Sequence, residues 1–328
     1  MWTALPAAAA SLLPVRVGAR FVFGDHLVAV TPLIRSADGG RVTHPTGLAR
    51  TCGGSAATDR PRLLDSLGTP IEGNQQMTVD LAADATGSGP ITVLLHGITE
   101  DARAWEPLIA PLAEDGTVVA VDLRGHGQSP PAQSYDPVSM AEDVHALLER
   151  LHLDTADPLI VGHSMGGLVA VAYGARYPVR GVVDVDQPLD LAGFQAQVRE
   201  LEPMLRGEQF AATIGAVFAA MQGPLSDAEV ARLDALRRPD QDVVLGAWAP
   251  LLELEPDALD AMVGEVVAGI EAPVLCLHGI DPGPDYPAWL RERIPTAQVE
   301  VWADHGHHLH LVDPARFVAR IRDFDPRR

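Results

Sequence analysis

A serine flanked by glycines is the residue of this chain best placed to do chemistry. Residues 159–170 read Leu-Ile-Val-Gly-His-Ser-Met-Gly-Gly-Leu-Val-Ala, so Gly162 and Gly166 lie two positions before and after Ser164. The apolar run predicts a buried strand before Ser164, and the small and apolar residues after it predict a helix. A serine on so sharp a turn has a strained backbone that needs small neighbours, and its hydroxyl stands clear of the sheet. The spacing therefore predicts a nucleophile.

A serine hydroxyl is inert at neutral pH and needs a neighbouring base. Of the twelve histidines, a late cluster follows the last predicted strand, where a side chain can reach back over the edge of the sheet. The cluster consists of His305, His307, His308 and His310. His126 lies between glycines in an earlier loop, and strand alternation points His163 away from the nucleophile. The spacing within the cluster does not match the common zinc patterns, so we expect no metal.

The elements that must position these residues alternate between strands and helices from Met77 onward. Apolar strands separated by helices predict a doubly wound, mostly parallel sheet covered on both faces. The predicted strands are Met77–Leu81, Ile91–Leu95, Val118–Val121, Leu159–Gly162, Gly181–Asp186, Pro273–His278 and Val299–Trp302. The predicted helices cover Trp105–Ala113, Val138–Leu151, the segment after Ser164, and Pro314–Phe324.

Between the strands, residues 190–270 read as helices only and predict a cap inserted into the α/β core. The core would then consist of residues 77–189 and 271–328. Prolines near the breaks separate the predicted cap helices. These helices are Leu191–Leu205, Glu208–Met221, Ser226–Leu236, Gln241–Leu252 and Asp257–Ala268. Most large apolar residues of this segment would pack the cap against the core, and Trp248 is the candidate for lining a substrate pocket.

Composition excludes several classes of function. The formal net charge of −20 argues against nucleic acid and anionic membrane surfaces as partners. All 24 basic residues are arginine, so Schiff-base chemistry and a lysine-dependent phosphate-binding loop are excluded. The two cysteines, Cys52 and Cys276, predict no disulfide framework. No apolar run approaches the roughly 20 residues that span a bilayer, and we expect a cytoplasmic protein.

The first 76 residues differ from the rest of the chain. They contain seven arginines and five acidic residues, and little sustained periodicity. Their best strand candidate is Arg20–Val30. Because a compact domain rarely carries so long an irregular stretch, we expect an N-terminal extension that is partly disordered or poorly packed. A start of the working protein at Met77 is one hypothesis for this segment.

The order of these motifs resembles the α/β-hydrolase fold family. The resemblance runs from about Met77 to the C-terminus and rests on four motifs: His96-Gly97 after one strand, residues 122–129 (Asp-Leu-Arg-Gly-His-Gly-Gln-Ser) after the next, the turn around Ser164, and Gly306-His307 with the following Asp313-Pro314. It implies that His307 is the base of the serine. It also implies an oxyanion hole formed by the backbone N–H groups of Ile98 and Met165.

The resemblance leaves the acid that orients the histidine open. The family usually supplies it after the strand that is here Pro273–His278, three residues beyond a glycine. That position is Pro282 in this chain, and Asp281 comes one residue early. Asp281 ranks first, Asp186 at the end of the preceding strand ranks second, and Asp285 ranks third.

These residues favour a serine hydrolase with a Ser-His-Asp triad that cleaves a carboxylic ester or a related small acyl substrate, without metal or organic cofactor. The resemblance leaves two alternatives within the same fold, a C–C bond hydrolase and a cofactor-free haloperoxidase-like protein. A non-catalytic protein that binds a small ligand is the alternative of a different class. The oligomeric state is not readable from the sequence.

Overall fold

A computed structural model of the protein describes residues 19–23, 26–30, 78–155 and 157–327. The rest of the N-terminal extension, including Cys52, lies outside the described residues, and so does Met77. Within the extension, strands β1 (Ala19–Phe23) and β2 (His26–Val30) pair antiparallel, with Ala19 opposite Val30. This hairpin falls in the segment that the sequence predicted as a strand.

Within residues 78–155 and 157–327, seven strands form one sheet. In order across the sheet they are β3 (Ala83–Gly87), β5 (Thr117–Val121), β4 (Ile91–Leu95), β6 (Leu159–His163), β7 (Gly181–Val185), β8 (Val274–His278) and β9 (Ala297–Val301). Strand β3 pairs antiparallel with β5, and every other pair is parallel. The predicted doubly wound, mostly parallel sheet is thereby confirmed.

The first predicted strand of the core is wrong in position. Residues 78–82 form no strand, and β3 begins at Ala83. The reason is that side chains take up the backbone groups of this segment. Asp143 accepts the N–H of Val79 at 2.8 Å, and Ser129 Oγ accepts the N–H of Ala82 at 2.8 Å. A backbone donor satisfied in this way is not available to a strand ladder.

Helices cover both faces of the sheet, as its fully buried strands require. Strands β6, β7 and β8 are buried at every residue. Side-chain caps fix where two helices begin. Asp136 accepts the N–H of Ser139 at the start of the helix from Pro137, and Asp313 accepts the N–H of Arg316 at the start of the helix from Pro314. The helices of the core are α1 (Glu106–Ala113), α2 (Pro137–Arg150), α3 (Met165–Gly174), α10 (Tyr286–Arg293), α11 (Leu309–Val312) and α12 (Pro314–Phe324).

The chain between β7 and β8 is helical, as predicted for the cap segment. It contains α4 (Ala192–Leu205), α5 (Phe210–Met221), α6 (Asp227–Leu236), α7 (Gln241–Ala247), α8 (Ala249–Glu253) and α9 (Pro256–Val267). The predicted helix Gln241–Leu252 is divided in two at Trp248. Pro250 accounts for the break, since it lacks an N–H and its ring clashes with a preceding helical turn. Among the helices in the described part of the chain, none is long and apolar enough to cross a membrane.

Candidate active site

Ser164 occupies a strained turn between strand β6 and helix α3. Its φ is +52° and its ψ is −125°, a conformation that L-residues rarely adopt. The neighbouring glycines make the turn possible. A Cβ on Gly162 would lie 1.9 Å from the carbonyl oxygen of Gly166, and a Cβ on Gly166 would lie 2.4 Å from that of Leu95. The Gly-x-Ser-x-Gly spacing is thus a steric requirement of this backbone.

His307 is held by Asp186, which lies just beyond the end of β7. The Nδ1 of His307 lies 2.7 Å from Oδ2 of Asp186. Because an ionised carboxylate only accepts hydrogen bonds, this contact places a proton on Nδ1 and, in the neutral ring, leaves Nε2 as the basic nitrogen. The other oxygen, Oδ1, accepts the N–H groups of Gly279 at 2.7 Å and Ile280 at 3.1 Å. The carboxylate is therefore fixed from the β8 side as well.

The pKa values of this pair shift as a base and its orienting anion require. Burial would raise the pKa of Asp186, but the hydrogen bond and charge of His307 outweigh it, so the pKa of Asp186 lies below its ordinary value. Burial lowers the pKa of His307, with a further contribution from His163, while Asp186 opposes the change. At neutral pH the site therefore holds an aspartate anion and a neutral imidazole.

The expectation that ranked Asp281 first as the orienting acid does not agree with this geometry. Asp281 is exposed and its Oδ1 accepts the N–H of Gly283 at 2.9 Å, which ties the carboxylate to its own loop. Asp285 is also exposed and lies immediately before α10. The loop after β8 donates two backbone N–H groups to Asp186 and supplies no acid to His307. Asp186, ranked second from the sequence, holds the position against His307.

Ser164 and His307 line one cavity of about 310 Å³. Ile98 and Met165, the predicted oxyanion donors, line the same cavity. Met165 is the first residue of α3, where backbone N–H groups have no acceptor within the helix. Trp248, predicted for the pocket, also lines the cavity and makes an edge-to-face contact with Phe194, with 5.5 Å between ring centroids.

The loop that carries Ile98 is fixed by His96. Its Nε2 accepts the N–H of Leu123 at 3.0 Å, so in the neutral ring Nδ1 carries the proton and donates to the carbonyl of Gly97 at 2.7 Å. Gly97 itself lies against Ser164, because a Cβ on Gly97 would come within 3.3 Å of Cβ of Ser164. The tightly packed turn brings the loop after β4 directly beside Ser164.

A second group of buried polar residues lies behind His307. The Nε2 of His163 lies 2.9 Å from the backbone oxygen of His307, and since a carbonyl only accepts, His163 is the donor. The His163 ring thus contacts the backbone of His307. The Nδ1 of His163 lies 3.6 Å from Glu100, and Nε2 of His308 lies 3.1 Å from the same carboxylate. Sequence reasoning missed Glu100, which belongs to no motif.

The carboxylate of Glu100 is balanced by a hydrogen bond from His308 and by an arginine. Its pKa lies well below the ordinary value, because contacts with His163 and His308 outweigh its burial. Nη2 of Arg237 lies 3.8 Å from Glu100 and supplies a positive charge. Donor atoms of Glu100, His163 and His308 lie within 4.8 Å of one another, so these three residues could reach one ion. The nearby guanidinium disfavours a divalent cation there, since it would face like charge.

The four late histidines separate into different environments. His307 faces the cavity with Ser164, and His308 contacts Glu100. His310 is buried against Trp105, with 4.7 Å between ring centroids, and its pKa is lowered by that burial. The Nδ1 of His305 lies 2.8 Å from the carbonyl oxygen of Ala303 in its own loop. Only His307 of this cluster shares a cavity with the predicted nucleophile.

Fold and motifs together define a hydrolase of the α/β class. The chain belongs to the alpha/beta hydrolase family, whose sequence profile matches residues 92–320. It is also 30% identical over 248 residues to the pimeloyl-[acyl-carrier protein] methyl ester esterase of Neisseria meningitidis, which covers 70% of this chain and 75% of that protein. The esterase RhEst1 from Rhodococcus sp. ECU1013 has a similar structure, with a TM-score of 0.56 at 27% identity over 76% of this chain and 98% of that one.

A more similar but shorter match is to the 2-(acetamidomethylene)succinate hydrolase of Mesorhizobium japonicum, at 41% identity over 103 residues. It covers 30% of this chain and 36% of that protein, so the chain matches about a third of that relative's length. The relatives share the family and differ in the reaction that their names state. Their names therefore do not define the substrate of this chain.

Proposed function

We propose that this protein is a serine hydrolase that cleaves a carboxylic ester through Ser164, His307 and Asp186. The observation that carries the proposal is the 2.7 Å contact between His307 Nδ1 and Asp186, at a histidine that shares one cavity with a serine on a strained turn. A histidine with a purely structural role needs neither a buried carboxylate on its ring nor a place beside a cavity. A histidine that activates a serine needs both, because the carboxylate orients the ring and the cavity admits the substrate.

In the proposed reaction, Nε2 of His307 removes the hydroxyl proton of Ser164, and the serine oxygen attacks the carbonyl carbon of the ester. Asp186 holds the imidazole in the required tautomer and stabilises the imidazolium that forms. The backbone N–H groups of Met165 and Ile98 stabilise the oxyanion of the tetrahedral intermediate. His307 then gives its proton to the leaving alcohol, and an acyl-enzyme remains on Ser164.

Water completes the cycle by the same steps. His307 removes a proton from the water molecule, the resulting hydroxide attacks the acyl-enzyme, and Ser164 recovers its proton as the acid leaves. These steps need no metal and no organic cofactor. The esterases among the similar proteins support the choice of an ester over other acyl compounds.

Labelling of the nucleophile tests this proposal. A fluorophosphonate probe should modify Ser164 in the wild-type protein, as identified by sequencing the labelled peptide. Ser164→Ala should lose the label and reduce the turnover of p-nitrophenyl butyrate by at least about a thousandfold. Equal turnover by the two proteins would exclude Ser164 as the nucleophile. Absence of turnover across esters, thioesters, lactones and amides would favour a binding protein on a hydrolase scaffold.

A further inference from the structure

The cavity at Ser164 is lined by apolar side chains over most of its wall. They come from the nucleophile helix α3 and from the helices between β7 and β8, so both parts of the chain build one pocket. Representative lining residues are Leu168, Phe194, Val217, Met221, Leu251 and Met262. Such a wall favours an apolar group that leaves water, by about 25 cal/mol for each Å² buried. The volume of about 310 Å³ lies at the small end of the range for ligand pockets.

The charged groups of this cavity are of one sign. Among the described residues that line it, the acids are Asp186, Asp190 and Asp281, and none of the described lining residues is an arginine. The whole chain contains no lysine. Asp186 is buried and engaged with His307, while Asp190 and Asp281 are exposed and therefore belong to the mouth. An anionic ligand group would meet two carboxylates at the entrance and no described arginine partner inside.

The cost of placing an anion in such a wall is large. A carboxylate that leaves water without a charged partner loses several kcal/mol of solvation, and like charges nearby add to the penalty. The neutral imidazole of His307 is engaged in the reaction and offers no permanent positive charge. The overall charge of −20 acts in the same direction by lowering the rate at which anions approach.

We infer that the site selects an uncharged, apolar acyl group and rejects esters whose acyl chain ends in a carboxylate. This inference rests on the proposed ester hydrolysis and adds the substrate class to it. Asp190 and Asp281 are specificity-determining residues in this account, and neither takes part in the bond-breaking steps. The apolar wall binds the acyl chain, while the two mouth carboxylates repel anionic chains.

Two esters of the same acyl chain provide the test. The p-nitrophenyl monoester of adipic acid carries a terminal carboxylate, and its methyl ester, p-nitrophenyl methyl adipate, has the same chain without the charge. We expect kcat/KM for the anionic ester to be at least about a hundredfold lower at pH 7.5, a ratio that corresponds to about 2.7 kcal/mol. Equal values for the two esters would overturn the inference.

Charge removal at the mouth separates repulsion from the apolar wall. The double variant Asp190→Asn with Asp281→Asn should raise kcat/KM for the anionic ester relative to the neutral one by about three- to tenfold. Asp285→Asn is the matched control, because this acid is exposed on the same loop and does not line the cavity. It should leave the ratio unchanged. A ratio that does not move in the double variant, or that moves equally in the control, would contradict the role of the mouth carboxylates.

The result also distinguishes this inference from the proposed function. If neither adipate ester is hydrolysed and no fluorophosphonate label appears at Ser164, the proposed ester hydrolysis fails. If both esters are hydrolysed at similar rates and Ser164→Ala abolishes both activities, ester hydrolysis stands and the inferred charge selectivity alone is wrong.

Discussion

Asp186 and His307 are separated by 121 positions in the sequence and joined by a 2.7 Å hydrogen bond in the structure. Asp186 has a φ of +56°, so its backbone is also in a region that L-residues seldom occupy. The Oδ1 atom of Asp186 accepts two backbone N–H groups of the loop after β8, and these hydrogen bonds stabilise the residue in this conformation. Backbone strain is therefore present at both Ser164 and Asp186, and contacts around the candidate active site must compensate for its cost.

Replacing Asp186 tests its role against that of Asp281. Asp186→Asn keeps the size of the side chain but removes the charge that fixes the tautomer of His307, and we expect kcat to fall by about 10³- to 10⁴-fold. Asp281→Asn should cost less than about threefold with an uncharged ester. Both are measured with p-nitrophenyl butyrate, with circular dichroism to verify folding. A larger loss in the Asp281 variant would return the orienting role to that residue.

The pH dependence of activity follows from the lowered pKa of His307. In the proposed reaction the neutral imidazole of His307 is the base, so activity should be lost when the pH falls through the pKa of His307. Because burial depresses this pKa, the acid limb of kcat/KM should lie below pH 6.5, the ordinary value for histidine. The measurement is a profile from pH 4.5 to 9 with an uncharged ester, and samples returned to pH 7.5 control for unfolding. An acid limb above pH 6.5 would contradict the stated environment.

Ser164 and His307 could be proposed as a nucleophile and its base because each lies in a short local motif. The turn at Ser164 is enforced by two glycines within two residues, and its strand and helix are contiguous with it. For His307, the family resemblance selected one of four neighbouring histidines, and the structure places that one at the cavity. Such motifs can be identified from sequence because the glycines that permit the turn lie within two residues of the serine at its apex.

The acid that contacts His307 could not be predicted from a local motif. Asp186 and Asp281 both follow adjacent parallel strands, β7 and β8, whose carboxyl ends lie at the same edge of the sheet. Which of them meets His307 depends on how the loop after β8 folds. That loop donates two backbone N–H groups to Asp186, an interaction without any side-chain signature. Glu100 escaped detection for a similar reason, because its partners His163 and His308 are far away in sequence.

Two glycine substitutions should affect stability in opposite directions. A Cβ on Gly162 would lie 1.9 Å from a backbone oxygen, so Gly162→Ala requires the turn at Ser164 to move. We expect a loss of several kcal/mol in unfolding free energy, or failure to fold. Gly264 lies inside α9 with nothing within 4 Å of the added methyl, and Gly264→Ala should stabilise the protein by about 0.5–1 kcal/mol. Urea unfolding measures both, and the same sign for the two variants would contradict the steric argument.

His163 is expected to act as a positioning residue. It donates a hydrogen bond to the backbone of His307, so its loss should misplace the base without removing a group that contacts the substrate. His163→Phe keeps an aromatic ring of similar size, and we expect kcat to fall about tenfold while KM stays within about twofold. Steady-state kinetics of a folded variant are the measurement. A rise in KM at constant kcat would instead indicate that the residue shapes the binding pocket.

Acid destabilisation should follow from histidines that are buried in neutral form. Burial lowers the pKa of both His126 and His308 to about 4, below the value of 6.5 in an unfolded chain. Between pH 6.5 and about 4 the unfolded state therefore binds more protons, and stability falls as the pH falls. Each residue contributes a loss of about 2 kcal/mol between pH 7.5 and pH 5.

Variants of single histidines measure this contribution. His126→Phe removes one titrating group, so the difference in unfolding free energy between pH 7.5 and pH 5 should shrink by about 2 kcal/mol relative to wild type. The exposed His152 provides the control, because its ring stays in water whether the chain is folded or not. His152 has a φ of +55°, which asparagine tolerates, and His152→Asn should leave the pH dependence unchanged. The measurement is urea unfolding at the two pH values. If His126→Phe leaves the difference in unfolding free energy as it is in wild type, the His126 ring is not buried in neutral form.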